Sequence, residues 1–359
     1  MPGPTLITHF RALRVLRWTW AVIRLGRPLF LVGGLVFFGL GAIMAHATGY
    51  SLSWPRYFAG QAVVTSVQLM THYANDYFDF EADVANCSPT RWSGGSRVLP
   101  LRQVSRSVAL YAAVTCVGCA VASMLVVHAL GAGVNVWSLM LAMSILAWSY
   151  SAPPMRLNSR GWGELVAAVV VAALVPFLGF AVQVGSVTTL ALLAVLPLLL
   201  VQFVMLLVLD VPDRQGDATV GKSTLVVRLG VDSAALLHNV ALLGAYALLP
   251  VLLEFGLPDT VAFSFACTAP LALFQVFAVA RGRLHDSRRW EVLALCAVAL
   301  VLVGTIAELV GFAVMSTQRS VDTTFPALPR SGIAMTRGMC DARLLAASDT
   351  GGSHVFGGK

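Results

Sequence analysis

Long apolar segments separated by short polar loops make up most of the chain between residues 28 and 315. A helix that crosses a bilayer needs about 20 mostly apolar residues. Nine segments meet this requirement: residues 28–47, 57–76, 107–129, 134–150, 163–183, 187–209, 233–253, 260–280 and 292–315. The strict alternation of a membrane barrel is missing, and backbone groups in lipid must be satisfied within the segment. The pattern therefore predicts an all-α integral membrane protein with nine transmembrane helices.

Two further segments flank this predicted transmembrane domain of residues 28–315. Residues 1–27 place arginines among Leu, Val and Trp, which predicts a basic amphipathic helix on the membrane surface. A signal peptide cleaved near residues 45–47 (AHA) is the alternative interpretation. Residues 316–359 contain no long apolar run and predict a poorly ordered C-terminal tail.

The composition agrees with a location in the membrane. Hydrophobic residues make up 58% of the chain and charged residues 11%, and the mean hydropathy is +0.80. Soluble proteins carry about 25% charged residues. A soluble multidomain enzyme, a disordered protein and a nucleic-acid-binding protein are therefore excluded, and the lipid bilayer is the expected surrounding.

Basic residues lie almost entirely on one side of the predicted membrane. They precede the first span and follow spans two, four, six and eight, whereas the short loops on the other side carry only Arg56. The positive-inside rule then places the N-terminus and the basic loops in the cytoplasm. We expect a bacterial inner membrane protein whose net charge of +7 reflects its orientation rather than nucleic-acid binding.

Acidic residues concentrate in two short segments, each following an even-numbered span. They are residues 75–83 (NDYFDFEAD) and 210–217 (DVPDRQGD). Asn75, Asp79 and Asp83 are four residues apart and Asp76 lies three before Asp79, so all four share one helix face. Like charges stacked in this way are destabilising unless a positive group neutralises them.

Hard oxygen ligands of this kind suit Mg²⁺, which proteins usually hold through a few carboxylates together with substrate phosphate. Gln68 and His72 continue the acidic helix face deeper into the predicted membrane. Several basic residues map to the same membrane side: Arg97, Arg156, Arg160, Lys222 and Arg228. A metal, acids and several cations together favour a diphosphate as ligand.

Other interpretations fit less well. Residues 216–223 (GDATVGKS) match the P-loop pattern, but that motif requires a preceding strand, and a long apolar span precedes it here. An ion-coupled transporter would place ionisable residues near mid-membrane, where Glu308 is the only acid well inside a predicted span. Each arginine taken alone also fits a simple role in topology.

The acidic segments resemble the two motifs of the UbiA superfamily of intramembrane prenyltransferases. Residues 75–83 resemble the NDxxDxxxD motif, and Asp213-x-x-x-Asp217 resembles the second aspartate-rich motif. The GKSTL sequence at 221–225 and the RLG sequence at 228–230 resemble the continuation of that second motif.

Two loops extend the resemblance, which covers roughly residues 20–315. Residues 150–157 (YSAPPMRL) and 160–164 (RGWGE) resemble the loop after the fourth helix of the family. Residues 93–99 (SGGSRVL) are similar to the matching segment of the 1,4-dihydroxy-2-naphthoate prenyltransferase (MenA) branch.

The resemblance implies nine helices around a central cavity, with both motifs at its cytoplasmic mouth. It also implies Mg²⁺-assisted transfer of an isoprenyl chain from its diphosphate to an aromatic acceptor. The metal ligands so implied are Asn75, Asp76, Asp79, Asp83, Asp213 and Asp217, with Asp210, where many relatives have another polar residue, as a further ligand. The expected catalytic residues are Asp76, Asp79, Asp213, Asp217 and Lys222. The expected substrate-binding residues are Gln68, His72, Asn75, Arg97, Tyr150, Arg156, Arg160 and Arg228.

We expect 1,4-dihydroxy-2-naphthoate, the acceptor of menaquinone biosynthesis, to be the aromatic substrate. Prenylation of 4-hydroxybenzoate, homogentisate or a specialised aromatic metabolite stays open. So does a UbiA-type terpene cyclase, in which the allylic cation is quenched within the same molecule.

Overall fold

The computed structural model describes residues 4–324, with side chains from residue 13 to residue 319. Within these residues every regular element is a helix and no β-strand occurs. The helices are α1 (Pro4–Leu25), α2 (Pro28–Ala47), α3 (Trp54–Phe78), α4 (Phe80–Ala85), α5 (Arg106–Ala129), α6 (Val134–Ser151), α7 (Gly163–Val169), α8 (Val175–Val184), α9 (Thr189–Asp210), α10 (Arg214–Thr219), α11 (Leu225–Ala247), α12 (Leu249–Glu254), α13 (Asp259–Ala266), α14 (Ala269–Ala280) and α15 (Trp290–Thr324). Most of the predicted tail lies outside the described residues.

Seven helical segments of the described chain are long and apolar enough to cross a membrane: Pro28–Ala47, Arg106–Ala129, Val134–Ser151, Gly163–Val184, Thr189–Asp210, Leu225–Glu254 and Ser287–Arg319. The pair α13 and α14, bent by 43°, makes an eighth if it is counted as one span. The all-helical membrane class is thus confirmed. Helix α3, the second predicted span, is 25 residues long but carries Gln61, Gln68 and His72, so the count of nine stays a prediction.

Helix α2 is an integral part of the helix bundle. Its Phe37, Phe38 and Met44 are fully buried, and its Gly41 packs directly on the backbone of α8. Helices in lipid gain stability mainly from such close contact, because lipid is as apolar as their side chains. Loss of α2 as a signal peptide would therefore remove part of the core.

Helix α1 differs from the others because most of its described surface is exposed. Leu16, Trp18 and Trp20 face outward, whereas Ala21 and Leu25 near its end are buried. Exposed Trp and Leu between arginines are typical of helices that lie in the membrane interface. An interfacial position for residues 1–27 stays a prediction.

Two irregularities shape the spans around α8 and α11. A π-helical turn, Val170–Leu174, connects α7 to α8 just before Pro176. This wider turn accommodates the proline ring, which would be crowded in an α-helical turn. Gly230 interrupts α11 with a φ of 77° and a ψ of 166°. The apolar span predicted from residue 233 therefore follows a real break in the helix.

Candidate active site

The two short helices α4 and α10 bring the acidic segments together. Helix α4 follows α3, α10 follows α9, and the two pack against each other. At the contact, a Cβ atom on Gly216 would lie 2.9 Å from the backbone nitrogen of Asn86. Glycine therefore permits the close approach that joins two segments far apart in sequence.

The first acidic segment keeps its helical spacing across the junction of α3 and α4. The Asp79 N–H donates to the Asn75 carbonyl at 2.8 Å, and the Asp83 N–H donates to the Asp79 carbonyl at 2.9 Å. The exposed fractions of Asp76, Asp79 and Asp83 are only 1%, 6% and 8%. These carboxylates form a buried cluster rather than a solvated surface.

Arg27 neutralises the start of this cluster. It lies between α1 and α2, and its guanidinium contacts Asp76 Oδ1 at 2.5 Å and Asn75 Oδ1 at 3.2 Å. Burial lowers the pKa of Arg27, but the neighbouring Asp76 and Asp83 carboxylates outweigh it, so the pKa rises. Sequence reasoning had given this arginine only a role in topology.

Lys222 connects the two acidic segments. Its Nζ lies 3.0 Å from Asp79 Oδ2 and 3.3 Å from Asp217 Oδ1. Burial lowers the pKa of Lys222, yet the two carboxylates together raise the pKa well above its ordinary value. The structure thus places the predicted lysine in contact with one aspartate of each segment.

The loop at residues 93–97 (SGGSR) also touches both segments. Its Ser96 hydroxyl and N–H donate to Asp76 Oδ2, and the Gly94 N–H donates to Asp213 Oδ2 at 2.9 Å. The Arg97 guanidinium donates to the carbonyl of Asp83. Arg97 is therefore at the site, where it ties the loop to the backbone of α4.

The second segment is held from several sides. Asp213 Oδ1 accepts a hydrogen bond of 2.7 Å from Asn86 Nδ2. Burial raises the pKa of Asp213, although the hydrogen bond from the Gly94 N–H opposes the shift. Burial likewise raises the pKa of Asp217 to about 6, against the attraction of Lys222.

The donor set fits a divalent metal. Burial and the neighbouring Asp76 raise the pKa of Asp83 well above its ordinary value, and no described residue donates a hydrogen bond to its carboxylate. Buried acids outnumber the cations that contact them, so an added divalent ion would lower the repulsion. Among the described residues no three Asp, Glu, His or Cys side chains already converge as a metal centre, since Arg27 and Lys222 hold three of the acids.

Several predicted residues lie close to this cluster without joining it. Gln68 Nε2 donates to the Phe30 carbonyl at 2.7 Å and so links α3 to α2. His72 has a buried Nε2 without a hydrogen-bond partner in the described part of the chain, and its ring lies 6.0 Å from that of Phe30. Tyr150 packs at the start of α7, where a Cβ atom on Gly163 would lie 3.4 Å from its ring.

Four predicted residues lie apart from the aspartate cluster. Asp210 neighbours the buried carboxyl group of Glu164. Arg156, Arg160 and Arg228 are exposed; the last two donate to the carbonyls of Pro154 and Ser223, respectively. The structure does not bring these three arginines into contact with the acidic side chains.

Sequence reasoning missed four residues that contact the acids: Arg27, Asn86, Ser96 and Asn158. It also missed Ser151, whose hydroxyl accepts a hydrogen bond from Asn75. Their partners are up to 127 residues away in the chain, so spacing carries no sign of them. One sequence feature could have pointed to Arg27. It directly precedes Pro28 at the start of the first span, and a charge there faces the mouth of the bundle.

Comparison with known proteins gives a consistent result. The model of the UbiA prenyltransferase family matches residues 35–296. A search of curated protein sequences finds no significant match.

Solved structures share the fold at low sequence identity. The chain is similar to a UbiA homologue from Archaeoglobus fulgidus bound to GPP and Mg²⁺, with 16% identity, a TM-score of 0.56 and coverage of 82% of this chain and 99% of that one. The apo UbiA homologue from Aeropyrum pernix K1 has 17% identity, a TM-score of 0.56 and coverage of 82% and 98%. A digeranylgeranylglyceryl phosphate synthase structure has 15% identity, a TM-score of 0.57 and the same coverage.

Proposed function

The chain belongs to the UbiA prenyltransferase family, and from that premise we propose that it transfers an isoprenyl chain from its diphosphate to an aromatic acceptor. One observation carries the proposal: two acidic segments, from opposite halves of the chain, meet around Arg27 and Lys222. Buried acids next to partly buried cations form a polar centre at the end of an apolar bundle. Such a centre suits a ligand with a diphosphate head and a hydrocarbon tail.

The metal ligands that we propose are Asn75, Asp76, Asp79, Asp83, Asp213 and Asp217. Mg²⁺, when bound, supplies positive charge that stabilises the diphosphate as a leaving group. The related Archaeoglobus fulgidus homologue binds GPP and Mg²⁺, which supports this choice of metal and substrate class. Asp210 lies against Glu164, so we propose for it a supporting role beside the ligands.

Arg27 and Lys222 would bind the diphosphate directly. Each now pairs with carboxylates, and each would turn to phosphate oxygens once those carboxylates bind the metal, since both are strong partners of phosphate. In that position they would hold the departing diphosphate while the allylic C–O bond breaks. Arg97, which anchors the loop at residues 93–97, would keep Ser96 and Gly94 in place.

The apolar surroundings of the site would protect the allylic cation from water. Phe30, His72 and Trp92 form an aromatic group next to Arg27, with ring centroids 6.0 Å and 6.1 Å from Phe30. Aromatic faces stabilise a nearby cation electrostatically. We propose that this group and Tyr150 surround the reacting carbon, and that the free His72 Nε2 binds a polar group of the acceptor.

The acceptor that we favour is 1,4-dihydroxy-2-naphthoate. The similarity of residues 93–99 to that branch supports it. An electron-rich ring carbon attacks the allylic carbon, the C–O bond to diphosphate breaks, and the ring loses its carboxylate as carbon dioxide. The menaquinone pathway would consume such a product. We propose a bacterial inner membrane location, and the basic loops support a site that faces the cytoplasm.

The test is an assay of the purified protein in detergent with Mg²⁺, a series of isoprenyl diphosphates and a panel of aromatic acids. We expect a prenylated naphthalene product by mass spectrometry, and loss of diphosphate release after addition of EDTA. Asp76→Ala and Asp213→Ala should abolish turnover, whereas Asp286→Ala, which removes an exposed carboxylate, should leave it unchanged. A cyclic hydrocarbon formed without any acceptor would refute the transferase proposal.

A further inference from the structure

One oxygen of Asp79 accepts three hydrogen bonds. Asn75 Nδ2 and Asn158 Nδ2 each lie 2.7 Å from Asp79 Oδ2, and Lys222 Nζ lies 3.0 Å from the same atom. A carboxylate oxygen has about two lone-pair directions for donors. The three donors therefore crowd Oδ2, whereas no described residue donates to Oδ1.

Asn158 is fixed in place more firmly than the lysine. It lies in the 3₁₀ turn Leu157–Arg160 and is 3% exposed, against 14% for the Lys222 side chain. The Ser159 hydroxyl donates to its Oδ1 at 3.1 Å. A Cβ atom on Gly163 would lie 2.7 Å from its Cα, so the start of α7 packs closely against it.

The same turn also binds the chain that follows the second acidic segment. The Ser223 N–H donates to the Ser159 carbonyl at 3.0 Å, directly after Lys222 in the chain. One short turn between α6 and α7 thus contacts Asp79 through Asn158 and the Lys222 segment through Ser159. It thereby links Asp79 to the chain that carries Lys222.

We infer that Asn158 is a positioning residue of the metal site. It holds Asp79 by one oxygen and so presents the other oxygen to the metal. The inference rests on the proposed function only in assuming a divalent metal at the aspartates. Such groups behind the ligands typically change metal affinity about 10–100-fold when they are removed.

The two kinds of donor to Asp79, a neutral amide and a charged ammonium, have different effects on metal binding. A neutral amide makes its hydrogen bond to Asp79 without cancelling the charge that attracts the metal. The Lys222 ammonium, in contrast, competes with the metal for that charge. Asn158 is therefore the permanent partner of Asp79, and Lys222 is the exchangeable one, free to move to the diphosphate.

The test is Mn²⁺ binding by the purified full chain in detergent, without substrate, followed by the electron paramagnetic resonance signal of free Mn²⁺. We expect Asn158→Ala to weaken Mn²⁺ binding about 10-fold or more. Asn135→Ala serves as the control, because its amide donates one hydrogen bond to the Gly185 carbonyl, between other helices. That control should bind Mn²⁺ like the wild type.

A catalytic readout separates positioning from chemistry. The Mg²⁺ concentration for half-maximal turnover should rise about 10-fold in Asn158→Ala, whereas turnover at saturating Mg²⁺ should return to within about threefold of the wild type. Asn158→Leu keeps the side-chain volume but has no hydrogen-bond donor, so it should behave like Asn158→Ala. It replaces the alanine variant if Asn158→Ala does not fold. Equal Mn²⁺ affinity in variant and wild type, or no Mn²⁺ binding by the wild type, would overturn the inference. Failure of the proposed function would appear separately, as wild-type protein that binds Mn²⁺ but forms no prenylated product.

Discussion

Arg27 connects the backbone geometry of the chain to the charge of the site. Its φ of 48° is a left-handed conformation that a non-glycine residue adopts at an energetic cost of about 1–2 kcal/mol. That turn between α1 and α2 allows its side chain to reach Asp76. A strained residue paired with a buried carboxylate is more typical of a functional group than of a topology signal.

We expect Arg27→Gln to raise the KM for the isoprenyl diphosphate about 10-fold or more, because a charge-assisted hydrogen bond contributes about 1.5–3 kcal/mol. Steady-state kinetics at saturating Mg²⁺ measures this effect. Arg24→Gln is the matched control, since Arg24 lies near the end of α1, three residues before Arg27, and its side chain donates to the exposed Gln103 instead of an acid. Equal KM values for both variants would show that Arg27 does not bind the substrate.

Gly95 lies in the loop at residues 93–97, which contacts both acidic segments. Its φ is +72°, and a Cβ atom there would collide with the Asp83 carboxylate. We therefore expect Gly95→Ala to lose most of its prenyl transfer activity, because Asp83 must shift. The assay is turnover at fixed Mg²⁺ and substrate concentrations.

The control for this glycine is Gly185→Ala. Gly185 has a φ of +94° but open space around its Cβ position, so this variant adds backbone strain without a collision. It should keep its activity and lose only about 1–2 kcal/mol of stability. If Gly95→Ala retained the activity of Gly185→Ala, the collision with Asp83 would be irrelevant to catalysis.

At the scale of helices, the crossing of α2 and α8 depends on two glycines. A Cβ atom on Gly41 would collide with the Pro176 carbonyl, and one on Gly179 would collide with the Phe38 carbonyl. Small residues let helix backbones approach closely enough for dispersion contacts along the whole crossing. This contact fixes α2 against α8 within the bundle.

We expect Gly41→Ala to lower the free energy of unfolding by about 1–3 kcal/mol, because the added methyl group forces the helices apart. Gly33→Ala changes the same helix where nothing lies within 4 Å of the Cβ position, so its stability should stay equal or rise slightly. Thermal unfolding in detergent, followed by tryptophan fluorescence, compares the two variants. A melting temperature for Gly41→Ala at or above that of Gly33→Ala would contradict the predicted close contact.

At the scale of the whole molecule, the basic loops predict which way the site faces. A variant that keeps only Cys87 has one exposed thiol next to the acidic segments. A membrane-impermeant maleimide should label it in inside-out vesicles and not in intact cells. The opposite pattern is expected for a Cys-free variant carrying Gly133→Cys, in the loop between α5 and α6, at the other end of the bundle. Labelling of Cys87 in intact cells would reverse the proposed orientation.

The sequence predicted the helical segments well because apolar length is a local property. The predicted spans at residues 28–47 and 134–150 agree with α2 and α6 to within one residue. The bend between α13 and α14 escaped it, because apolar length alone does not show where a helix bends. Helix α3 is not among the described helices that are long and apolar enough to cross a membrane, so the span at residues 57–76 stays a prediction.

The sequence by itself determined the membrane class, the two acidic segments and the shared face of Asn75, Asp79 and Asp83, since all three follow from composition and helical spacing. Only the tertiary structure decided which cations neutralise those acids. Arg27 and Lys222 pair with the acids, whereas Arg156, Arg160 and Arg228 do not contact them. Asn158 also donates a hydrogen bond to Asp79. Contacts between residues so far apart depend on packing of α4 against α10 and on the turn after α6, and no local pattern encodes them.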